Sequence, residues 1–158
     1  MPMYQPDDLD LRILDQLQTD NTLSNQALAQ RVHTSPPTCL RRVERLVREG
    51  FIERQAAVLN PARLGHGLTA IVEVTLDQQT AEAFTAFEQS IADATEIQQC
   101  YRVSAGPDFV LIVRVHDMQA YHALAHRLFT HQRAIRNVRT FFSTHCSKFE
   151  TKIPLVKH

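Results

Sequence analysis

Residues 24–50 read SNQALAQRVHTSPPTCLRRVERLVREG, and the spacing of caps and apolar positions in this stretch decides the first half of the fold. Ser24 stands where a helix N-cap is wanted. Leu23 before it and Leu28 four residues into the next segment are placed for a hydrophobic staple. The helix that opens there is short and stops near His33. Ser35 caps the next one, and Pro36 and Pro37 fit its first turn, where an amide hydrogen has no partner in any case. Leu40, Val43, Leu46 and Val47 are expected on one side of this helix. Arg41, Arg45 and Arg48, at i, i+4 and i+7, share another side with Thr38 and Arg42 beside them. Gly50 closes it.

Working outward, Asp7 or Asp8 caps a first helix whose apolar positions are Leu9, Ile13, Leu14 and Leu17, ended by TDN at 19–21. Two helices, a tight turn (His33–Thr34–Ser35) and a third helix with a basic outer face predict a helix-turn-helix. FIERQAAVLN (51–60) reads as a short extended piece. PARLGHG (61–67), with Pro61, Gly65 and Gly67, reads as a linker.

The remainder has a different texture. LTAIVEVTL (68–76) alternates and is β-branched, hence a strand. TAEAFTAFEQSIAD (80–93) reads as helix, with Ala83, Phe84, Phe87 and Ile91 inward. IQQCYRVS (97–104) and FVLIVRVH (109–116) are strands joined by a short hairpin link. MQAYHALAHRLFTH (118–131) is helical, with Tyr121, Leu124, Ala125 and Leu128 inward, and IRNVRTFFSTHCSKF (135–149) is extended, placing Phe141 and Phe142 on opposite faces. The order β-α-β-β-α-β is ferredoxin-like. Two helices cover one face of such a sheet, and a second copy of the chain is the simplest cover for the other. The class is therefore α+β: a helix-turn-helix, winged-helix-like domain over 1–60, a linker over 61–67, and a ferredoxin-like domain over 68–158.

Composition restricts the functions open to the chain. Lys+Arg and Asp+Glu number 17 each among 158 residues, so any nucleic-acid surface must be local. Its only lysines, Lys148, Lys152 and Lys157, lie near the C-terminus. Three cysteines, Cys39, Cys100 and Cys146, are far apart, and no CxxC pair exists; they are expected to be reduced, buried thiols in a cytoplasmic protein. The start, MPMYQPDDLD, has neither the basic nor the apolar region of a signal peptide, and no apolar run is long enough to span a bilayer. A membrane partner is not expected.

The arginine helix admits two readings. It can be a solvated face with internal ion pairs, since Glu44 and Glu49 lie three or four residues from Arg41, Arg45 and Arg48. It can also enter the major groove of double-stranded DNA, where arginine offers a two-pronged donor pair to guanine and further arginines and hydroxyls reach phosphates. The three-helix context favours DNA, with Ser35, Pro36, Thr38, Arg41, Arg42, Arg45 and Arg48 as the contact set.

The segments LDLRILDQLQTDNTLSNQALAQRV, SPPTCLRRVERLVREGFI and LNPARLG resemble the Lrp/AsnC family of bacterial feast/famine regulators, nearest its leucine-responsive branch, and the likeness runs through the β-α-β-β-α-β half. The resemblance implies a regulator of transcription rather than an enzyme, tuned by a small amino acid, with dimers that assemble further, often to octamers. No cofactor and no resident metal are expected. The resemblance places the effector loop between the second and third strands, on Ala105, Gly106, Pro107 and Asp108, and Val103 and Ser104 just before it complete the candidate effector set. Asp108 matches the family's acid, but Ala105 stands at the usual glycine and Gly106 comes one place late. His33 stands where the family turn usually has glycine.

An amino acid needs an acceptor for its ammonium and donors for its carboxylate. Asp108 can supply the first and the amides of Ser104 to Gly106 the second, a nest-like arrangement. Val103, Met118 and Phe142 would suit an aliphatic, leucine- or methionine-like side chain. The alternative is that Asp108 only shapes the hairpin turn. His122 and His126, at i and i+4 with His131 nearby, have one possible metal spacing, but no motif fixes a third ligand, and a solvated surface is the expectation. Two further functions stand beside the regulator. One is an enzyme such as the tetrapyrrole decarboxylases that resemble this family in fold, and the other an architectural DNA-binding protein without effector.

Overall fold

The computed structural model describes residues 4–155. They form two compact units with separate cores: residues up to 58 together with those from 148 on, and residues 59–147.

The first unit, the head, holds α1 (Asp8–Thr19), α2 (Asn25–Arg31) and α3 (Pro36–Arg48). Each start has a cause in the sequence. Asp7 caps α1 in a capping box: its carboxylate accepts from the amide of Asp10, and the Asp10 carboxylate accepts from the amide of Asp7. Ser24 caps α2 and Ser35 caps α3, with the two prolines in the first turn. Leu23 and Leu28 both enter the core around Ile13, Ala29, Val32, Cys39 and Leu46, as the staple requires. The Asn25 side-chain amide donates to the Pro36 carbonyl at 2.8 Å and ties the start of α2 to the start of α3.

Helices α2 and α3 end in the same device. After α2 the amides of His33 and Thr34 bond back to the carbonyls of Gln30 and Ala29. After α3 the amides of Gly50 and Phe51 bond back to Val47 and Leu46. Both are Schellman motifs, which need one residue in the left-handed region. Gly50 takes φ +79° at one, and His33 takes φ +57° at the other. Residues 51–60, expected to be extended, run without strand pairing.

In the second unit, β1 (Leu68–Leu76), α4 (Ala81–Ile91), β2 (Ile97–Arg102), β3 (Phe109–Val115), α5 (Met118–Ala125) and β4 (Ile135–Phe142) follow in the expected order. The sheet is antiparallel throughout, in the order β2-β3-β1-β4. Strand alternation sends Ala70, Val72, Val74 and Leu76 of β1 and Phe109, Leu111, Val113 and Val115 of β3 to the face covered by the helices, where Phe87, Ile91, Tyr121 and Leu124 meet them.

Three details differ from the sequence reading. The last helix is not uniform: His126–Thr130 continue α5 as a π-helical turn, and the wider turn lets Leu128 and Phe129 both reach the core. Strand β4 stops at Phe142 instead of running to 149, because beyond Ser143, whose amide still bonds to Thr69, the chain leaves the sheet and joins the head. Of the cysteines only Cys39 is buried, and burial pushes its thiol pKa up; Cys100 is exposed because β2 is an edge strand, and Cys146 is exposed past the end of β4.

The two Schellman motifs make a direct test. His33→Gly removes a side-chain clash at positive φ and is expected to stabilise the head by about 0.5–1 kcal/mol, read as a higher Tm. Gly50→Ala is expected to cost a similar amount. A neutral or destabilising His33→Gly contradicts the assignment of strain to His33.

Candidate nucleic-acid interface and effector loop

The head is organised around Asp10. This carboxylate is fully buried. It accepts hydrogen bonds from the Tyr4 hydroxyl, from the Asp7 amide at 3.0 Å, and from Arg42 Nη1 at 3.1 and 3.2 Å to its two oxygens. Arg45 Nη2 lies 3.5 Å away. Arg42 also donates to the Asp7 carboxylate, and the Arg45 guanidinium stacks 4.1 Å from the centre of the Tyr4 ring. Burial and then the bond to Asp10 raise the pKa of the Tyr4 phenol, so it remains a donor. Its hydrogen bond to Asp7 and the charges of Asp10 and Asp7 hold Arg42 protonated, against the opposing effect of burial. A buried carboxylate with this many donors is satisfied, and removing a partner leaves an uncompensated charge.

This cluster divides the arginines of α3. Arg42 and Arg45 turn toward α1 and are only partly exposed, at 22% and 31% of their side chains. Arg45 Nε is buried without a hydrogen-bond partner, alone in this among the described residues. Arg41 and Arg48 lie on the outer side of the helix, Arg48 with its Nε 3.5 Å from Glu49. The same rotation corrects the expected apolar face: Cys39 and Leu46 are buried and Val43 packs beside them, whereas Leu40 and Val47 are half exposed. Apolar spacing left the helix phase open by about a residue, and the pull of Asp10 on Arg42 resolves it.

At the open end of α3, Ser35 and Pro36 are exposed and Thr38 is partly so. Ser35 Oγ donates to Thr38 Oγ1 at 2.9 Å. The outer surface of the helix therefore presents two hydroxyls at its N-terminus, whose partial positive charge favours anions, and two arginines farther along. Asp10 was missed on sequence reasoning. The only available signal was its place three residues after the Asp7 cap, which reads as an ordinary capping-box acid.

In the second unit, residues 103–108 form the link between β2 and β3. Val103, Ser104, Ala105 and Gly106 are exposed, Pro107 is half-buried and Asp108 is buried. The Asp108 carboxylate faces inward: its Oδ2 accepts from the Leu76 amide at 2.7 Å, at the end of β1. Its own amide donates to Val74 and its carbonyl accepts from Val103. The residue read as a possible ammonium acceptor thus pins the loop to the sheet with that oxygen. Ala105 takes φ +62°, so alanine holds the left-handed conformation that glycine would take more cheaply. Phe142 packs edge-on against Tyr121 on the helix side, while Val103 and Met118 remain partly exposed. The rings of His126 and His131 meet edge to face at 4.7 Å, and among the described residues no group of three potential metal ligands is brought together. No helix among them is long and apolar enough to cross a membrane.

Comparison with known proteins gives a consistent picture. Residues 69–153 match the family model of the Lrp/AsnC ligand binding domain, and residues 6–53 match a winged helix-turn-helix DNA-binding model. The leucine-responsive regulatory protein of Escherichia coli K12 is 39% identical over 135 residues, covering 85% of this chain and 82% of its own; that of Klebsiella pneumoniae is equally similar. Among solved structures, an AsnC family regulator from Agrobacterium tumefaciens superposes with a TM-score of 0.88 at 32% identity, covering 94% of this chain and 97% of its own. A transcriptional regulator from Neisseria meningitidis, solved in complex with L-methionine, reaches the same TM-score at 27% identity, with coverage of 95% and 97%.

Two outcomes follow for the buried cluster. Asp10→Asn leaves the guanidinium of Arg42 without its buried countercharge and is expected to cost about 3 kcal/mol, measured by denaturant unfolding; a loss below about 0.5 kcal/mol contradicts the role given to Asp10. Burial alone would raise the Asp7 pKa, but the amides of Asp10 and Leu9 and the Arg42 guanidinium outweigh it and hold the carboxyl below its ordinary value. A carboxyl so depressed binds fewer protons folded than unfolded. Its contribution is complete above an ordinary pKa of about 4 and is lost as pH falls through the folded value. Asp7→Ala should flatten that acid limb of the stability curve and leave its neutral side parallel to wild type.

Proposed function

The chain belongs to the Lrp/AsnC family of transcription regulators, with a helix-turn-helix DNA-binding part and a ligand-binding part, and from that premise we propose that it binds double-stranded DNA sequence-specifically under the control of a small aliphatic amino acid. The observation that carries the DNA half is the outer surface of α3. Ser35, Pro36 and Thr38 stand at its entering end, and the exposed Arg41 and Arg48, the latter held only by a surface pair with Glu49, can turn to base edges and phosphates. Arg42 and Arg45 act from behind: they fix the helix on α1 and add positive charge beneath the interface without reading bases.

The effector half is supported by the exposure of residues Ser104 to Gly106 and by the L-methionine held by the Neisseria relative. In this reading Asp108 is the scaffold of the loop, Val103 and Met118 offer apolar contact, and the amides of the loop receive the effector carboxylate. Control requires that the amino acid bind the assembly states of the protein unequally.

The assembly begins with the open face of the sheet. Register places Ile71 between Ile112 of β3 and Phe141 of β4, and Tyr101 beside Val110. Ile71, Phe141 and Tyr101 are exposed, and the Glu73–Arg139 ion pair at 2.6 Å borders them. An apolar band of this kind suits a second copy of the chain, and dimers joined further, to an octamer, would let DNA wrap. The protein works in the cytoplasm, where its DNA is.

Duplex affinity against salt tests the DNA half. Arg41→Ala is expected to weaken binding and to reduce the log–log salt slope by about one. An unchanged affinity and slope would remove Arg41 from the interface. For the effector, a thermal melt against leucine and methionine should show stabilisation of about 2.7 kcal/mol at a hundredfold excess over Kd. The shift should be lost in Asp108→Ala, which removes the acceptor of the Leu76 amide, and the absence of any shift in wild type with either compound contradicts an aliphatic effector. For the assembly, Ile71→Glu should reduce the native mass to the 18.0 kDa of one chain, read by sedimentation; an unchanged mass places the dimer contact elsewhere.

A further inference from the structure

The C-terminal segment belongs to the head, not to the ligand-binding unit from which it emerges. Its contacts are specific. Lys152 Nζ lies 2.8 Å from Asp15 Oδ1 and donates to Thr19 Oγ1 at 3.0 Å. The Gln18 side chain pairs with the backbone of Ile153 in both directions: its amide donates to the Ile153 carbonyl at 3.1 Å, and its carbonyl accepts from the Ile153 amide at 2.8 Å. Leu155, unlike the exposed residues before it, is half-buried at a groove of about 260 Å³ that also involves Leu11 and Val32. The Lys152 amide bonds to Glu150, which shapes the approach.

The electrostatics explain why a lysine arrives here. The last turn of α1 contains no basic residue, and its C-cap is Asp20. A helix C-terminus carries partial negative charge and is stabilised by a cation. Lys152 supplies from the far end of the chain the charge that α1 lacks. Lysine occurs nowhere in the sequence before residue 148, and DNA contact and effector binding leave that placement without a role.

We propose that residues 148–155 are a strap that docks on the C-terminal half of α1 and governs the freedom of the head. The chain leaves the head at the linker and returns to it at the strap, so with the strap docked the ligand-binding unit holds the head at two points of the chain. With it released, only the linker remains. A head restrained at two points loses less conformational entropy on meeting DNA, so docking favours binding. Whatever alters the end of β4 or residues 143–147, which lead from it into the strap, then reaches the head through the strap. This step rests on the DNA-binding reading, whereas docking itself does not.

The test uses the full chain with Lys152→Glu, Asp15→Lys and the double exchange, none of them at the DNA surface. Amide hydrogen exchange reports docking. In wild type, exchange across residues 148–155 should be slowed about tenfold or more relative to an unstructured peptide; each single reversal should abolish the protection, and the double exchange should restore it. Gln18→Ala should abolish it without changing charge. Affinity for duplexes enriched by the wild-type protein from a random-sequence library reports the consequence. Both single reversals should weaken binding severalfold and the double exchange should recover it, although Asp15→Lys adds positive charge to the head and Lys152→Glu removes it. An unprotected segment in wild type overturns the strap. Protection with single-variant affinities that move in opposite directions, following charge alone, overturns its control of the head. If no duplex is enriched, the DNA reading fails, and exchange still decides whether the strap docks.

Discussion

The carboxylate of Asp10 is the constraint on which the head depends. It completes the capping box that starts α1, receives the Tyr4 hydroxyl, and binds Arg42 from α3. A buried negative charge tolerates no vacancy among its partners, so the rotation of α3 about its own axis is held to the one setting that satisfies it. That setting decides which side chains look outward. An apolar contact in the same place would tie the two helices together but would permit a slide or a turn of some degrees. A charged hydrogen bond with two oxygens and fixed donors does not.

A similar use of an acid recurs in the ligand-binding unit. Asp108 is buried and spends one oxygen on the amide of Leu76, so the loop between β2 and β3 springs from a fixed point at the end of β1. The exposed part of the loop, Ser104 to Gly106, is thereby positioned by a residue that lies beneath it. In both units a buried carboxylate holds backbone or helix in place: Asp10, which the sequence passes over as a capping acid, and Asp108, which it offers as a ligand group.

Much of the architecture was legible in the sequence. Alternation marked β1 and β3 to within a residue of their ends, because a strand with one covered face must alternate. Caps marked the three helices of the head because orphan amides select a few residue types. The unlegible parts are tertiary. The phase of α3 escaped because Leu40 and Val47 have helical spacing with Val43, and nothing local says that Arg42 outbids them for the inner side. Asp10 was hidden among the acids of DDLD, where charge at a helix start is ordinary. The inward turn of Asp108 and the return of residues 148–155 to the head depend on partners 32 and about 135 positions away, and periodicity has no range at that distance. His33 is the reverse case. Its place in the turn was visible in the sequence, and its left-handed φ of +57° shows that histidine there holds a conformation glycine would take more cheaply.

The central claim is that α3 divides its arginines into an inner pair that builds and an outer pair that reads. The most direct measurement is the NMR spectrum of the arginine Nε–Hε groups, assigned by single substitution, during titration with a selected duplex. The account predicts that the signals of Arg41 and Arg48 shift on binding. Those of Arg42 and Arg45 should already be dispersed and slow to exchange in the free protein, and should stay near their positions. Large shifts of Arg42 and Arg45 with Arg41 and Arg48 unmoved would contradict it, and would mean that the cluster around Asp10 opens to let the inner pair reach DNA.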